Sequence, residues 1–178
     1  VLNFADAKQM GGGYLNGRNA QEECLCRQTL LYPTLQHSSM YALYNHDNDL
    51  YKGDYMTYSP NVKVIRDNND HMLPYSFNIN VISAPAVDNR KFVKNANYIM
   101  ERRIRKIIKL AAYKNNQVLI LGAFGCGVFK NDPNQISLIF QKVLVKENLK
   151  DYFQQVIFPI YKNDNCKNIF QKVLCTKI

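Results

Sequence analysis

Two adjacent carboxylates, Glu22 and Glu23, follow a run of three glycines, Gly11-Gly12-Gly13, with seven residues between Gly13 and Gln21. Glycine loses more conformational freedom on folding than any other residue, so three in a row mark a place where backbone must approach something closely. The run lies between a short apolar, strand-like segment, Val1-Leu2-Asn3-Phe4, and a helical pattern that opens on the two acids. A strand, a glycine loop and a helix start carrying carboxylates describe a polyphosphate or sugar-phosphate site beside a general acid. The two acids divide by direction, since neighbouring residues on a helix point about 100° apart. Glu22 suits the reciprocal capping position after Asn19, where it stabilises the helix start without any catalysis. Glu23 then faces the cleft, and a carboxyl partly desolvated near a diphosphate holds its proton more tightly, as a general acid must.

A second glycine loop, Gly122-Ala123-Phe124-Gly125-Cys126-Gly127-Val128-Phe129, follows the apolar run Val118-Leu119-Ile120-Leu121. It leads to a helix that Asn131-Asp132 caps, with Pro133 at its first position. In open α/β sheets ligands bind outside the carboxyl ends of the strands, where loop N–H groups and helix N-termini attract phosphate. Gly122, Gly125 and Gly127 let this loop wrap a diphosphate. Neither loop continues into Gly-Lys-Ser/Thr, and the first lacks the glycine spacing of a dinucleotide fingerprint. Taken singly, each loop reads equally well as a tight turn; the pair is harder to dismiss.

Around these loops the pattern alternates strand and helix. A helix from the Asn19 cap through Leu25, Leu30 and Leu31 ends before Pro33, and residues 36–60 form a loop-rich region punctuated by Gly53 and Pro60. Strands are expected at 62–65 and 77–82, the latter alternating Phe77, Ile79, Val81 and closed by Pro85. A long amphipathic helix over 95–113 carries Ile99, Ile104, Ile107, Ile108, Ala111 and Ala112 on one side. The 118–121 run has the signature of a strand buried on both faces of a largely parallel sheet. A helix over 133–147, a strand over 156–158 and a helix over 168–174 complete an α/β chain with helices on both faces of a sheet.

The 178 residues fit one domain, and 47% apolar residues supply a sizeable core. No apolar run is long enough to span a bilayer, and no leader pattern opens the chain, so an intracellular location, cytoplasmic or nuclear, is expected. The formal charge of +9 favours polyanionic partners. Its densest cluster, Arg102, Arg103, Arg105, Lys106 and Lys109, reads first as the solvated face of a helix and second as a phosphate-contacting stripe. Cys24, Cys26, Cys126, Cys166 and Cys175 form no CxxC pair, so free thiols in a reducing compartment are expected, with no metal site.

Val1-Leu2-Asn3-Phe4-Ala5, Gly11-Gly12-Gly13 and Gln21-Glu22-Glu23 with Leu25-Cys26-Arg27 together resemble the signature of the microbial-type poly(ADP-ribose) glycohydrolases, a macrodomain family. The resemblance continues through Tyr58-Ser59-Pro60, Arg66-Asp67, the end of the strand near Pro85, and Leu121 to Phe129 with Asn131-Asp132-Pro133. It implies a three-layer α/β/α macrodomain with a mixed central sheet, a single catalytic domain over 1–178 without the N-terminal helices and strand usual in the family. It also implies hydrolysis of the ribose–ribose O-glycosidic bond of poly(ADP-ribose), or of an ADP-ribosylated target, without a cofactor. By position, Glu23 becomes the acid and Glu22 the holder of a ribose hydroxyl. Gly11, Gly12 and Gly13 shape the catalytic loop, and Asp6 and Gln21 stand with them among the substrate-binding residues. Gly122, Gly125, Cys126, Gly127 and Val128 cradle the diphosphate, and Phe129 packs beside the distal ribose. The chain departs from the family pattern at Asp6, where asparagine is usual beside the distal ribose, and at Met10, Phe124 and Lys130. Two other readings stand beside the enzyme: a macrodomain that binds ADP-ribose without cleaving it, and, ranked last, a basic nucleic-acid-binding protein.

Overall fold

A mixed sheet organises the first part of the chain. In this computed structural model, which describes residues 1–47 and 50–175, β1 (Leu2–Phe4) runs parallel to β3 (Met72–Ala84), and β2 (Thr57–Arg66) pairs with β3 antiparallel, giving the order β1-β3-β2. The chain divides into two units, Val1–Pro85 and Ala86–Ile178.

In the first unit both long strands exceed expectation. Pro60 lies inside β2, not before it. A β-bulge between Ser59 and Val62 accommodates the missing N–H, with Asn61 at φ 54° and its N–H donated to Asn80 Oδ1 at 3.0 Å. The helix bearing the acids, α1 (Gln21–Gln28), is shorter than expected. It ends at Thr29, whose hydroxyl donates to Leu25 O at 2.7 Å and accepts from Leu31 N–H at 3.1 Å. A second helix, α2 (Leu31–Leu35), then begins and includes Pro33 in its first turn, where a missing N–H costs nothing. The region read as loop contains a third helix, α3 (Met40–His46); its positions 48 and 49 lie outside the described residues. Ala5, Cys26, Leu31, Leu35, Met40, Tyr41, Tyr44, Val62 and Val81 form the core of this unit.

The second unit contains α4 (Ala96–Tyr113), β4 (Val118–Ile120), α5 (Pro133–Gln141), β5 (Gln155–Ile157) and α6 (Asp164–Leu174). Strands β4 and β5 are parallel, with Leu119 opposite Val156, so the parallel pairing is as expected. Burial on both faces is not: Val118 is 44% exposed. Asp132 caps α5 by accepting from Asn134 N–H at 2.9 Å, with Pro133 at the helix start. The helix then continues as a π-helical turn, Lys142–Lys146. The last helix starts earlier than expected because Asn163 caps it, accepting from Cys166 N–H at 3.0 Å. Phe140, Phe158 and Phe170 pack together, with ring centroids 4.9 to 6.3 Å apart.

The basic cluster on α4 is not a uniform solvated face. Arg103 is buried. Arg105 forks onto Glu147 at 2.7 and 2.8 Å and also reaches Glu101 at 2.6 Å, with Lys142 on the same Glu101 oxygen at 2.7 Å. These contacts hold the Glu101 and Glu147 carboxyls below their usual range, through Lys142 first for Glu101 and Arg105 for Glu147. Charges already paired within the protein release fewer counterions to a nucleic acid, which weakens the phosphate-stripe reading.

Candidate active site

Glu22 and Glu23 sit in the first turn of α1, where the helix dipole favours carboxylates, and both are buried. The expected Asn19 cap does not form: the residue before the helix is Ala20, and no side chain caps it. Glu22 instead reaches the opening strand and the loop after it. Its Oε1 accepts from Asn3 Nδ2 at 3.2 Å and its Oε2 from Asp6 N–H at 2.8 Å. Glu23 turns to the glycine loop, where Oε1 accepts from Gly13 N–H at 2.8 Å. Its Oε2 is buried and has no hydrogen-bond partner among the described residues.

The glycines are required by this approach. Gly12 lies at φ 56°, and a Cβ there would stand 2.6 Å from Glu23 Oε1 and 3.1 Å from Glu22 Oε2. A Cβ on Gly11 would meet the Tyr32 ring at 2.7 Å. Gly13 carries the aliphatic stem of Arg18 where its own Cβ would be. Asp6 builds the loop entrance: Oδ1 accepts the N–H groups of Lys8 and Gln9, each at 2.8 Å. Gln21 turns towards β1, accepting from Phe4 N–H at 2.8 Å and donating to Leu2 O at 2.9 Å.

Both acids are withdrawn from bulk solvent. Burial chiefly, offset by the Asp6 and Asn3 hydrogen bonds, pushes the Glu22 carboxyl up to about 7. Burial, then the charge of Glu22, pushes the Cys26 thiol up to about 12 and raises the Tyr41 hydroxyl as well. A linkage follows. Between the ordinary 4.5 and about 7 the folded chain binds a proton at Glu22 that the unfolded chain has released. The stabilisation from Glu22 is therefore full below 4.5 and is lost as pH rises through about 7. Urea unfolding across that window should show a loss of about 3 kcal/mol from this group, and Glu22→Gln should abolish that slope. An unchanged slope in the variant would assign the titration elsewhere.

The loop of the second unit has a different character. Gly125 leaves room for Asn131: a Cβ would lie 2.7 Å from Asn131 Nδ2 and 2.8 Å from Ala86 Cβ. The buried Asn131 amide donates to Val87 O at 2.8 Å and Gly125 O at 3.0 Å, and Asn131 N–H also reaches Gly125 O, at 3.1 Å. Gly122 O accepts from Phe124 N–H at 3.0 Å, with the Phe124 side chain fully buried beneath the loop. Beyond Cys126, the N–H groups of Gly127, Val128 and Phe129 donate to no protein acceptor among the described residues, and Gly127 and Val128 are exposed. Phe129 O accepts from Asn89 N–H at 2.9 Å, and the Arg90 guanidinium lies 5.8 Å from the Phe129 ring centroid. The Cys126 thiol is pushed up to about 12, mainly by burial and then by neighbouring Cys166. Consecutive undonated N–H groups form the kind of concavity that takes an anion.

Asn3, fully buried between Glu22 and the Ser83 hydroxyl (3.0 Å), was not singled out by the sequence reading. A lone amide in the centre of an apolar strand was the available signal, since buried polar groups need partners. Asn131 was read only as part of the cap; Asp132 caps, while Asn131 staples Gly125. Asn131→Ala should loosen the loop, costing about 1–3 kcal/mol in unfolding free energy for the acceptors left buried. Urea unfolding of the variant checks this, and an unchanged midpoint would show that the staple is dispensable. Among the described residues no three His, Cys, Asp or Glu side chains are grouped as metal ligands, and no helix is long and apolar enough to cross a membrane.

Comparison with known proteins gives the chain a family. A family model described as microbial-type PARG, catalytic domain, matches residues 1–67, which include the glycine run and both acids. No curated protein is significantly similar in sequence. Among solved structures, poly(ADP-ribose) glycohydrolase from Thermomonospora curvata is 31% identical, with a TM-score of 0.89 over 97% of this chain and 66% of that one. The same enzyme bound to the inhibitor ADP-HPD matches equally, covering 96% of this chain and 68% of that one. The Deinococcus radiodurans enzyme in complex with ADP-ribose is 34% identical, with a TM-score of 0.88 over 97% of this chain and 74% of that one. The fold is thus mixed α/β with a mixed sheet, of the same type as these enzymes. The chain belongs to the microbial-type poly(ADP-ribose) glycohydrolases, a family of hydrolases, and spans from 66% to 74% of the length of these relatives.

Proposed function

We propose that the chain hydrolyses the ribose–ribose O-glycosidic bond of poly(ADP-ribose), or the bond to an ADP-ribosylated target, and releases ADP-ribose. The observation that carries this is the state of Glu23: one oxygen is fixed by Gly13 N–H, and the other is buried and uncommitted. Burial gives Glu22 the raised proton affinity that suits an acid. Geometry favours Glu23, because both Glu22 oxygens already accept from N–H donors.

Glu23 Oε2 gives its proton to the glycosidic oxygen as the C–O bond breaks, and the anomeric carbon passes through an oxocarbenium-like state. Water then bonds to that carbon and returns a proton to the Glu23 carboxylate, leaving two hydroxyl-terminated products. Glu22, fixed by Asn3 and Asp6, orients a ribose hydroxyl. The N–H groups of Gly127, Val128 and Phe129 bind the diphosphate. The five unpaired thiols suit a reducing, intracellular compartment.

The test is ADP-ribose release from automodified polymer, with the melting temperature measured beside it. Ligand bound to the native state must raise that temperature. Product formation with a ligand-dependent shift supports the reading. A shift without product leaves a macrodomain that only binds, and neither result removes both.

A further inference from the structure

Arg27 stands one turn beyond Glu23 on α1 and reaches back past the start of its own helix. Its Nη1 donates to Arg18 O at 2.8 Å, and its Nη2 donates to Asn19 Oδ1 and lies 3.1 Å from Cys24 Sγ. The segment it grips closes on the glycine loop, since Gly13 O accepts from Asn16 N–H at 2.9 Å and from Arg18 N–H at 3.1 Å. Gly13 N–H is the donor that fixes Glu23 Oε1. Arg27 therefore joins the helix that carries the acid to the loop that orients it.

The other contact of Arg27 does not explain the residue. Its Nε faces Asp70 Oδ2 at 3.7 Å, with both side chains partly exposed. Such pairs contribute about 0–1 kcal/mol. The N-terminus of α1 has no side-chain cap, and the guanidinium, which only donates, acts instead on the chain entering the helix, through the acceptors Arg18 O and Asn19 Oδ1. A lysine keeps the charge but lacks the planar fork needed to hold Arg18 O and Asn19 Oδ1 together.

We propose that Arg27 is a positioning residue for the general acid, acting on Glu23 through Arg18 and Gly13. The proposal deepens the glycohydrolase reading and rests on it. Its test compares wild type, Arg27→Ala, Arg27→Lys and Asp70→Ala by polymer turnover, ADP-ribose calorimetry, melting temperature and amide exchange at residue 13. Both Arg27 variants should lose about 10- to 100-fold in kcat, as small misplacements of catalytic groups do, with ADP-ribose affinity and melting temperature retained. Amide exchange at Gly13 should quicken in both, and Asp70→Ala should behave as wild type. Unchanged kcat, full activity in Arg27→Lys, or a parallel loss of affinity and melting temperature would overturn the proposal. Should wild type release no ADP-ribose, the glycohydrolase reading itself fails. The exchange measurement still judges the clamp, and unchanged exchange overturns it.

Discussion

Glu23→Gln is expected to cut ADP-ribose release by about 10²–10⁴-fold, the range set by loss of a general acid. The substitution is conservative in shape. Its amide oxygen can still accept from Gly13 N–H, so the loop keeps its anchor while the uncommitted position loses an ionisable proton. ADP-ribose affinity should therefore survive, and the loss should lie in kcat. Glu22→Gln is the informative companion. Both neighbours of Glu22 are donors, Asn3 Nδ2 and Asp6 N–H, so a glutamine there must set its own amide group against one of them. That variant should be destabilised and bind substrate less well, while keeping more of its turnover than Glu23→Gln. Wild-type turnover by Glu23→Gln would remove this residue from the chemistry, and a larger kcat loss at Glu22 would exchange the two roles.

Gly12→Ala should abolish measurable turnover with both acids still in the sequence. Two effects add. The left-handed backbone at φ 56° costs a residue with a Cβ about 1–3 kcal/mol. The new methyl would also meet Glu23 Oε1 at 2.6 Å, and either the carboxylate or the loop must move. Gly17→Ala separates these contributions. Gly17 has φ 71°, and a Cβ there has nothing within 4 Å, so it carries the backbone cost alone. Unfolding and turnover measured on both variants should show the larger stability loss at Gly12 and activity loss there alone. Equal turnover in the two would show that the acids tolerate displacement.

The chemistry-bearing residues were more legible than the elements around them. Gly11 to Gly13 and the acids could be read because close approach leaves a compositional mark, and the structure places Gly12 against both carboxylates. What the acids do locally was less legible. Glu22 was assigned to a cap on its own helix, but its partners come from Asn3 and Asp6, 16 to 19 residues away. Periodicity carries no information about such contacts. The same limit hid α3, whose face of Met40, Tyr41 and Tyr44 is too short and too rich in tyrosine to stand out from its Asn- and Asp-rich surroundings. Pro60 misled in the opposite direction, because a bulge admits a proline into a strand that composition alone would end. Arg103 was counted with its charged neighbours, although its position on α4 directs it inwards beside Ile104 and Ile107.

Gln21 has a consequence for how the first strand is completed. Strand β1 is three residues long, and among the described residues its ladder partner is β3, which leaves Leu2 O and Phe4 N–H to be satisfied from another source. Leu2 is buried, and a buried backbone group without a partner costs about 1–3 kcal/mol. The Gln21 side-chain amide presents its oxygen and one of its two N–H groups to the strand, and it occupies both backbone groups at 2.8 and 2.9 Å. It serves as a strand of a single residue, complete as soon as it begins, with nothing left to propagate. The residue that adjoins the two acids thereby ties the start of α1 to the backbone of β1.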